Sequence, residues 1–192
     1  MTFSGPPAVA AWRHQEARTG FEVAGIRQIE TGWAFDGCTA AVEDGEAWVV
    51  DYEIRVEGGW RSRSARVSRR AGGVTDSVTV EGDGHGRWWV DGARRDDLTG
   101  CRDVDLESSA LTNAFPVHRL ALEPGQSSPA PAVYVRTSLA VGRLEQVYCR
   151  IDRGEQHQRF RYRAPAFGFE CELWYDAAGF AISYPGIAVR TL

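Results

Sequence analysis

Three carboxylates at a spacing of two residues are the side chains whose pattern best suits chemistry. Asp103, Asp105 and Glu107 lie within residues 88–120, a segment that also contains Arg119. In an extended chain, side chains two residues apart point the same way, so these carboxylates would share one face. Such a face is costly unless water, a cation or a hydrogen-bond donor compensates each charge. It could be a salt-bridged turn network, a patch that hydrogen-bonds a hydroxyl-rich ligand, or the carboxylate pair of a hydrolase.

Other signals of catalysis or metal binding are missing from the sequence. It has no GxSxG, HExxH or P-loop motif and no GxGxxG before a helix. Of the four histidines only His118 lies within residues 88–120, and a lone histidine on a strand is usually a packing residue. The four cysteines are widely spaced and form no CxxC pair, which indicates reduced core thiols. We therefore expect no catalytic residue, no metal and no cofactor.

Length and charge restrict the class of protein. The 192 residues suit one domain, with the first ten or so residues loose, and no repeat or linker divides them. A formal net charge of -4 gives no general attraction to a phosphate backbone, so nucleic-acid binding is not expected. No apolar run is long enough for a membrane helix, and the first residues do not resemble a secretory signal. We expect a cytoplasmic protein without integral membrane association.

Alternating apolar residues predict a β-dominated fold of roughly a dozen strands. Residues 48–56 alternate most regularly, which indicates a half-buried antiparallel strand. Asp36-Gly37 resembles a hairpin turn and would interrupt the strand formed by residues 33–42. Residues 60–67 are polar on both faces, and they could form an edge strand protected by charge or a strand that lines a polar cavity.

One short helix is predicted, over residues 106–113. Asp105 or Ser108 would be its N-cap, and Asn113 suits the left-handed position at its C-terminal end. Pro116 would end the helix and begin a new strand over residues 116–122. A helix this short must be held by tertiary packing.

Two motifs resemble the putative glycolipid-binding family. They are GCRDVDL at residues 100–106 and LTNAFPVHRL at residues 111–120. Shorter matching motifs occur in the expected order at residues 60–63, 84–88, 90–92, 146–148, 168–169 and 183–186. The family pattern differs at Ser109 and Ala110, where it tends to have Thr-Pro, and at His118, where it favours the first of two arginines.

The resemblance implies a spiral β-roll, a many-stranded antiparallel sheet rolled around a single short central α-helix, usually as a homodimer. It also implies a glycolipid or another amphiphile as ligand, with the acyl chain on the apolar face of the sheet. The polar head would be bound by Asp103, Asp105, Asn113, His118 and Arg119. Two alternatives remain: a small hydrolase or isomerase that acts on a sugar-like substrate through Asp103, Asp105 and His118, or a dimerising scaffold with no ligand.

Overall fold

The protein folds as a large rolled sheet, and the computed structural model describes residues 3–153 and 157–192. Its strands are β1 (Val9–His14), β2 (Thr19–Ile29), β3 (Gly32–Glu43), β4 (Glu46–Glu57), β5 (Ser62–Ala71), β6 (Val74–Gly82), β7 (Trp88–Val90), β8 (Ala93–Arg94), β9 (Asp103–Leu106), β10 (Ser127–Pro129), β11 (Ala132–Val135), β12 (Val141–Leu144), β13 (Val147–Arg153), β14 (Gln158–Ala164), β15 (Phe169–Tyr175), β16 (Ala181–Tyr184) and β17 (Ala188–Arg190). The α-helix is α1 (Ala114–Leu120), and short 3₁₀ turns cover Asp96–Leu98, Leu111–Asn113 and Pro165–Phe167.

Fourteen of these strands form one antiparallel sheet in the order β10-β13-β14-β15-β16-β17-β1-β2-β3-β4-β5-β6-β7-β8. Strand β1 pairs with both β2 and the C-terminal β17, so the two ends of the chain meet in the middle of the sheet. The sheet is not closed, because β10 and β8 are its two edges. The prediction of a mostly β fold, with a many-stranded antiparallel sheet around one short helix, is confirmed.

A second, three-stranded sheet carries the acidic segment. Its order is β12-β11-β9, with β9 parallel to β11 and β12 antiparallel to β11. All four residues of β9 are buried. The Ser62 hydroxyl accepts a hydrogen bond from the Val104 amide, which fastens β9 to the start of β5. The large sheet therefore encloses β9 together with the α1 helix that follows it.

The alternation in residues 48–56 is confirmed by β4. Trp48, Val50, Tyr52, Ile54 and Val56 are all buried, and the residues between them are not. The turn predicted at Asp36-Gly37 is wrong, since β3 runs unbroken through both residues. Gly37 is paired with Tyr52, and a Cβ on Gly37 would stand only 2.1 Å from the Tyr52 ring. The glycine is therefore needed for the close approach of an aromatic ring, not for a turn.

Strand β5 is not an edge strand, which contradicts the first interpretation of residues 60–67. It pairs with β4 on one side and β6 on the other. Ala65 and Val67 are buried, whereas Arg66 and Arg70 are exposed on the outer face. Two small apolar residues are enough to seal this part of the core, so the strand needs few large hydrophobic side chains.

The helix predicted over residues 106–113 is wrong in position, because the α-helix lies further along the chain. Residues 103–106 form β9 and the helix covers Ala114–Leu120, so Pro116 does not end the helix but lies in its first turn. A proline is tolerated there because the first amides of a helix have no intrahelical partner. Asn113 has right-handed backbone angles and precedes the helix, and Ala121 takes the left-handed position at the C-terminal end, with φ 46°.

The space between the helix and the sheet is largely filled by side chains. Phe115 packs in one cluster, 5.0 Å from the Phe35 ring centroid, and Val117 packs in a second cluster with residues of β13–β16. Within residues 3–153 and 157–192, no helix is long and apolar enough to cross a membrane. Over the same ranges, no three His, Cys, Asp or Glu side chains converge as a metal site.

Candidate functional site

A cavity of about 240 Å³, called the β9 cavity below, lies beside the C-terminal end of β9. Its volume is below the ~300–1,000 Å³ of pockets for drug-sized ligands, so it has room for about one small ring. The polar lining residues are Arg18, Asp105, Glu107, Ser109 and Asn113; the aromatic ones are Tyr134, Tyr162, Phe167, Phe169 and Tyr184; the aliphatic ones are Leu106, Leu144, Ala164 and Ile187.

Asp105 is the buried carboxylate of this cavity. Its Oδ1 accepts a hydrogen bond from the Thr112 hydroxyl and its Oδ2 accepts one from the Gln146 amide, both at 2.8 Å. Burial raises the pKa of Asp105 to about 6, against the opposing effect of these two hydrogen bonds. The negative charges of Asp103 and Glu107 raise the pKa further. The carboxyl group therefore changes charge near pH 6.

Asn113 is tied to the same network. Its Oδ1 accepts from the Tyr148 hydroxyl at 2.9 Å, and that hydroxyl also lies 3.2 Å from Gln146 Oε1. The Tyr175 hydroxyl donates to the Asn113 carbonyl at 3.3 Å. Among the described residues, nothing accepts a hydrogen bond from the Asn113 amide nitrogen. Because Asn113 lines the β9 cavity, this donor is available to a ligand.

Glu107 supplies a second carboxylate. Its Oε2 accepts from the Thr137 amide at 2.7 Å and from the Thr137 hydroxyl at 3.1 Å. Burial, followed by the charges of Asp105 and Glu107, raises the pKa of the neighbouring Tyr134. The Tyr134 hydroxyl therefore stays protonated and remains a hydrogen-bond donor at physiological pH.

Aromatic rings form much of the remaining wall. Tyr162, Phe169 and Tyr184 come from the adjacent strands β14, β15 and β16, with ring centroids 5.9–6.3 Å apart. Tyr134 and Phe167 form a further pair at 5.7 Å, and Phe167 is 49% exposed. Such rings offer apolar faces and hydroxyl groups together, which suits a ligand that is apolar on one side and polar at its edge.

Arg18 is a cation in the lining. Its side chain is 6% exposed, forms an ion pair with Glu43 at 3.5 Å and lies over the Trp48 ring at 5.2 Å. Its Nε and Nη1 atoms have no hydrogen-bond partner within the described part of the chain. No sequence pattern points to this arginine, since it stands in the short link between β1 and β2.

Glu22 anchors the segment that leads from β9 to α1. Its Oε1 accepts from the Tyr52 hydroxyl at 2.6 Å and from the Ser109 hydroxyl, and its Oε2 accepts from the Ala110 amide at 2.7 Å. Glu22 is completely buried, and burial raises its pKa, whereas these hydrogen bonds act in the opposite direction. Because Ser109 lines the cavity, Glu22 fixes the position of part of its wall.

Comparison with known proteins identifies the family. The model of a family described as "Putative glycolipid-binding" matches residues 9–190. The chain belongs to this family. A comparison with curated proteins finds no match.

Two solved structures share the fold of this family member. The crystal structure of a DUF1089 family protein from Pseudomonas aeruginosa is 24% identical, with a TM-score of 0.78 over 100% of this chain and 98% of that one. A β-barrel-like protein of domain family DUF1849 from Brucella abortus is 11% identical, with a TM-score of 0.53 over 98% and 96% of the two chains. At these identities the likeness concerns the fold alone.

The residues that the sequence predicted for ligand binding in this family member divide into two groups. Asp105 and Asn113 line the β9 cavity together. Asp103, His118 and Arg119 are not among its lining residues. Two of the five predicted residues therefore line this cavity, and three do not.

Asp103 and Arg119 form a buried ion pair. Arg119 Nε donates to Asp103 Oδ1 at 2.9 Å and Nη2 donates to Oδ2 at 2.5 Å, with the side chains 15% and 2% exposed. Burial raises the pKa of Asp103, and the hydrogen bonds and charge of Arg119 lower it. The pair joins β9, which carries Asp105, to α1, which begins directly after Asn113.

His118 lies in an aromatic cluster. Its ring stacks on Trp60 with centroids 3.6 Å apart, and its Nε2 lies 2.8 Å from the Ala178 carbonyl. Burial lowers the pKa of His118 to about 4, so the ring is neutral at physiological pH and Nε2 is the donor. Asp103 and His118 are thus engaged with other groups and do not line the cavity with Asp105.

Glu22 was missed although the sequence contains a signal for it. On β2, Glu22, Ala24 and Ile26 alternate with residues that are not buried, so the glutamate shares a face with apolar residues. A carboxylate on the buried face of an amphipathic strand indicates a structural or functional role.

Proposed function

We propose that this protein binds the carbohydrate head of a glycolipid, or of a similar amphiphile, in the β9 cavity without chemical turnover. The supporting observation is the combination of aromatic walls with Asp105, Glu107 and Asn113 in a cavity of about 240 Å³. A sugar ring has apolar C–H faces that can pack on aromatic rings and hydroxyl groups that can donate to carboxylates. Membership of the family supports the same class of ligand.

Within this proposal, Asp105 and Asn113 contact the head directly. Asp105 accepts from ligand hydroxyls, and the Asn113 amide donates to a ligand oxygen. Asp103 and Arg119 act through the ion pair that joins β9 to α1, and His118 acts through the packing of α1 against Trp60. All five predicted residues therefore keep a proposed part in binding, two by contact and three by position.

The acyl chain has a different proposed place from the one that the sequence indicated. The clusters around Phe115 and Val117 fill the space between helix and sheet with side chains. The β9 cavity has room for about one ring, and Phe167 stands exposed beside it. We propose that the chain extends outward past Phe167 while the head occupies the cavity.

Replacement of Phe167 by alanine tests this proposal. The loss of one aromatic wall should weaken binding of a glycolipid about tenfold, which corresponds to about 1.4 kcal/mol. Binding can be measured by calorimetry with short-chain alkyl glycosides or by cosedimentation with glycolipid vesicles. Trp174→Ala is the matched control, because Trp174 is 40% exposed on β15, does not line the cavity and lies outside the patch proposed below for dimerisation. Equal affinities for the two variants, or no binding by the unchanged protein, would refute the proposal.

We further propose a cytoplasmic homodimer that uses the outer face of β1–β3. Val9, Phe21, Val23 and Val42 are large exposed apolar residues on neighbouring strands, and Val23 lies beside Ala11 and Cys38 in the register of the sheet. A second copy related by a two-fold axis could cover this patch with the same patch of its own.

Val23→Asp should convert the dimer to a monomer, because each copy would then bury an unpaired carboxylate at the interface. Sedimentation equilibrium measures the mass directly. Val74→Asp is the control, since Val74 is 58% exposed but lies on β6. A wild-type monomer, or a Val23→Asp dimer of unchanged stability, contradicts the proposed interface.

A further inference from the structure

A second cavity continues the β9 cavity on the side of β11 and β12. It measures about 220 Å³ and is called the arginine groove below. Tyr134, Leu144 and Phe167 line both cavities, so the two share one wall. The remaining residues of the groove are Arg136, Ala140, Val141, Gly142, Arg143 and Ala166. A ligand that fills the first cavity and exceeds one ring therefore meets the groove next.

The groove is lined by two arginines, whereas the β9 cavity is lined by two carboxylates and by Arg18, whose charge is paired with that of Glu43. The Arg136 guanidinium lies 5.9 Å from the Tyr134 ring centroid and 6.0 Å from that of Phe167. No carboxylate pairs with Arg136 in the described ranges of the chain, and its side chain is exposed. The two ring faces hold the guanidinium beside the shared wall and leave its N–H donors free for a ligand.

Arg143 is the second cation of the groove. Its Nε pairs with Glu145 at 2.5 Å and its Nη1 donates to the Thr99 carbonyl at 2.7 Å. These contacts fix the guanidinium and pair its charge with that of Glu145. Arg136 therefore carries the uncompensated positive charge of the groove, and Arg143 adds a fixed donor group.

We propose that the arginine groove binds an anionic substituent, a phosphate group, on the sugar-like head whose ring occupies the β9 cavity. This inference rests on the proposed function and specifies its ligand class as a phosphorylated ring. Guanidinium groups bind phosphate with charge-assisted hydrogen bonds. The opposite charges at the two ends set the orientation of the ligand, since phosphate is repelled by Asp105 and Glu107 and attracted by Arg136.

The experiment compares neutral and phosphorylated rings in calorimetric titrations. The probes are glucose, galactose and mannose, their 6-phosphates, and inorganic phosphate alone. We expect each phosphorylated sugar that binds to do so about tenfold more tightly than its neutral parent at low salt, with a smaller difference at high salt. Inorganic phosphate should bind more weakly than any bound sugar phosphate, because it leaves the β9 cavity empty.

Variants of Arg136 assign the difference to the groove. Arg136→Gln should abolish the preference for the phosphate, and Arg136→Glu should reverse it, while both retain binding of the neutral sugar. Arg66→Gln is the matched control, since Arg66 is exposed on β5 and has no carboxylate partner among the described residues. This control should retain the full preference.

Vesicles separate a lipid from a free sugar phosphate as the source of the head. Phosphatidylcholine vesicles that contain phosphatidylinositol should retain the protein more strongly than vesicles with a neutral galactolipid if the head belongs to a lipid. If neither kind of vesicle retains the protein and a free sugar phosphate binds tightly, the groove is assigned to a soluble ligand, and the inference is still supported.

Equal affinities for neutral and phosphorylated rings overturn the inference and leave the proposed function intact. If no probe, vesicle or sugar binds, both fail.

Discussion

Replacement of Glu22 by alanine is expected to lower the free energy of unfolding by about 3–5 kcal/mol. The change leaves the Tyr52 hydroxyl, the Ser109 hydroxyl and the Ala110 amide without their acceptor at a position where the Glu22 side chain is completely buried. Each buried donor that loses its partner costs about 1–3 kcal/mol, and the deleted side chain leaves a void as well. Urea denaturation at neutral pH measures the change.

A second substitution identifies the cause of this loss. Tyr52→Phe alone removes one donor and should cost about 1 kcal/mol. In the Glu22→Ala background the same substitution should cost nothing or restore stability, because it removes a hydroxyl that already lacks a partner. Glu53→Ala is the control for the loss of a glutamate, since Glu53 is more exposed, and should change stability by less than about 0.5 kcal/mol. Additive losses for Glu22 and Tyr52 would show that the hydroxyl and the carboxylate act independently.

The Glu22 anchor also matters for the cavity. Ser109 and Asn113 both line it, and the segment between them contains the 3₁₀ turn at Leu111–Asn113 that leads into α1. The Thr39 hydroxyl donates to the Ser108 carbonyl at 2.8 Å, so β2 and β3 together fasten this segment to the large sheet. The β9 cavity is thus placed by contacts between residues 69–88 positions apart in the sequence.

Local patterns predicted regular strands such as β4 because the period of a strand is short, whereas the strand predicted over residues 116–122 is wrong, since Ala114–Leu120 form α1. The alternation in β4 requires only neighbouring residues, and the resulting buried face is the predicted one. Gly37 was misread for a reason that is not local: the glycine makes room for Tyr52, a residue of the next strand. Turn formation and close ring packing both favour glycine, and the sequence around Asp36 does not distinguish them.

The helix position could not be read from residues 103–120 alone. The prediction used three signals: an acidic N-cap, an Asn at the C-terminal end and a Pro that follows. Each of these residue types also occurs at other positions relative to a helix. Asp105 is engaged by Thr112 and Gln146 rather than by helix amides, and Pro116 fits the first helical turn. The acceptor for the amide of Ala110 is Glu22, which lies 88 residues earlier. A short helix held by tertiary contacts lacks a local signal for its boundaries.

The candidate site shows the same division. The spacing of Asp103 and Asp105 indicated two carboxylates on one face if the chain is extended there, and the structure shows that it is extended, as β9, with both residues buried. Which carboxylate meets a cation depends on α1, where Arg119 reaches Asp103 and no arginine reaches Asp105 within the described ranges. Tyr162, Phe169 and Tyr184 of the aromatic wall come from β14–β16, more than 40 residues later in the sequence, so their proximity to Asp105 follows from the sheet order.

Among the described residues, no cation pairs with Asp105. The stability of the protein should therefore depend on pH in a defined direction. An unperturbed aspartate has a pKa of about 3.9, and burial raises that of Asp105 to about 6 in the folded protein. The folded state therefore binds this proton more tightly than the unfolded state. The contribution of Asp105 to stability is complete below about pH 4 and is lost as the pH rises through 6. A rise of about two pKa units corresponds to about 3 kcal/mol in the free energy of unfolding.

Asp105→Asn isolates this contribution, because asparagine cannot ionise and can keep both hydrogen bonds if the Gln146 amide rotates by half a turn. The free energy of unfolding of the variant minus that of the wild type should rise by about 3 kcal/mol between pH 4 and pH 7. Urea denaturation across this range measures the difference, in which the titrating groups that do not interact with Asp105 cancel. A difference that stays constant with pH would mean that Asp105 is ionised without cost in the folded state.

Thr112→Val tests independently the direction in which the pKa of Asp105 shifts. The hydrogen bond from Thr112 stabilises the ionised form of Asp105, so its removal should raise the pKa of Asp105 above 6 and move the loss of stability to higher pH. A shift to lower pH would contradict the assignment of the titration to Asp105.

The ionisation of Asp105 also affects ligand binding. An ionised Asp105 accepts hydrogen bonds from sugar hydroxyls, so affinity should increase as the pH rises through 6. Stability and affinity would then change in opposite directions over one pH interval, which is expected of a buried carboxylate kept for binding rather than for folding.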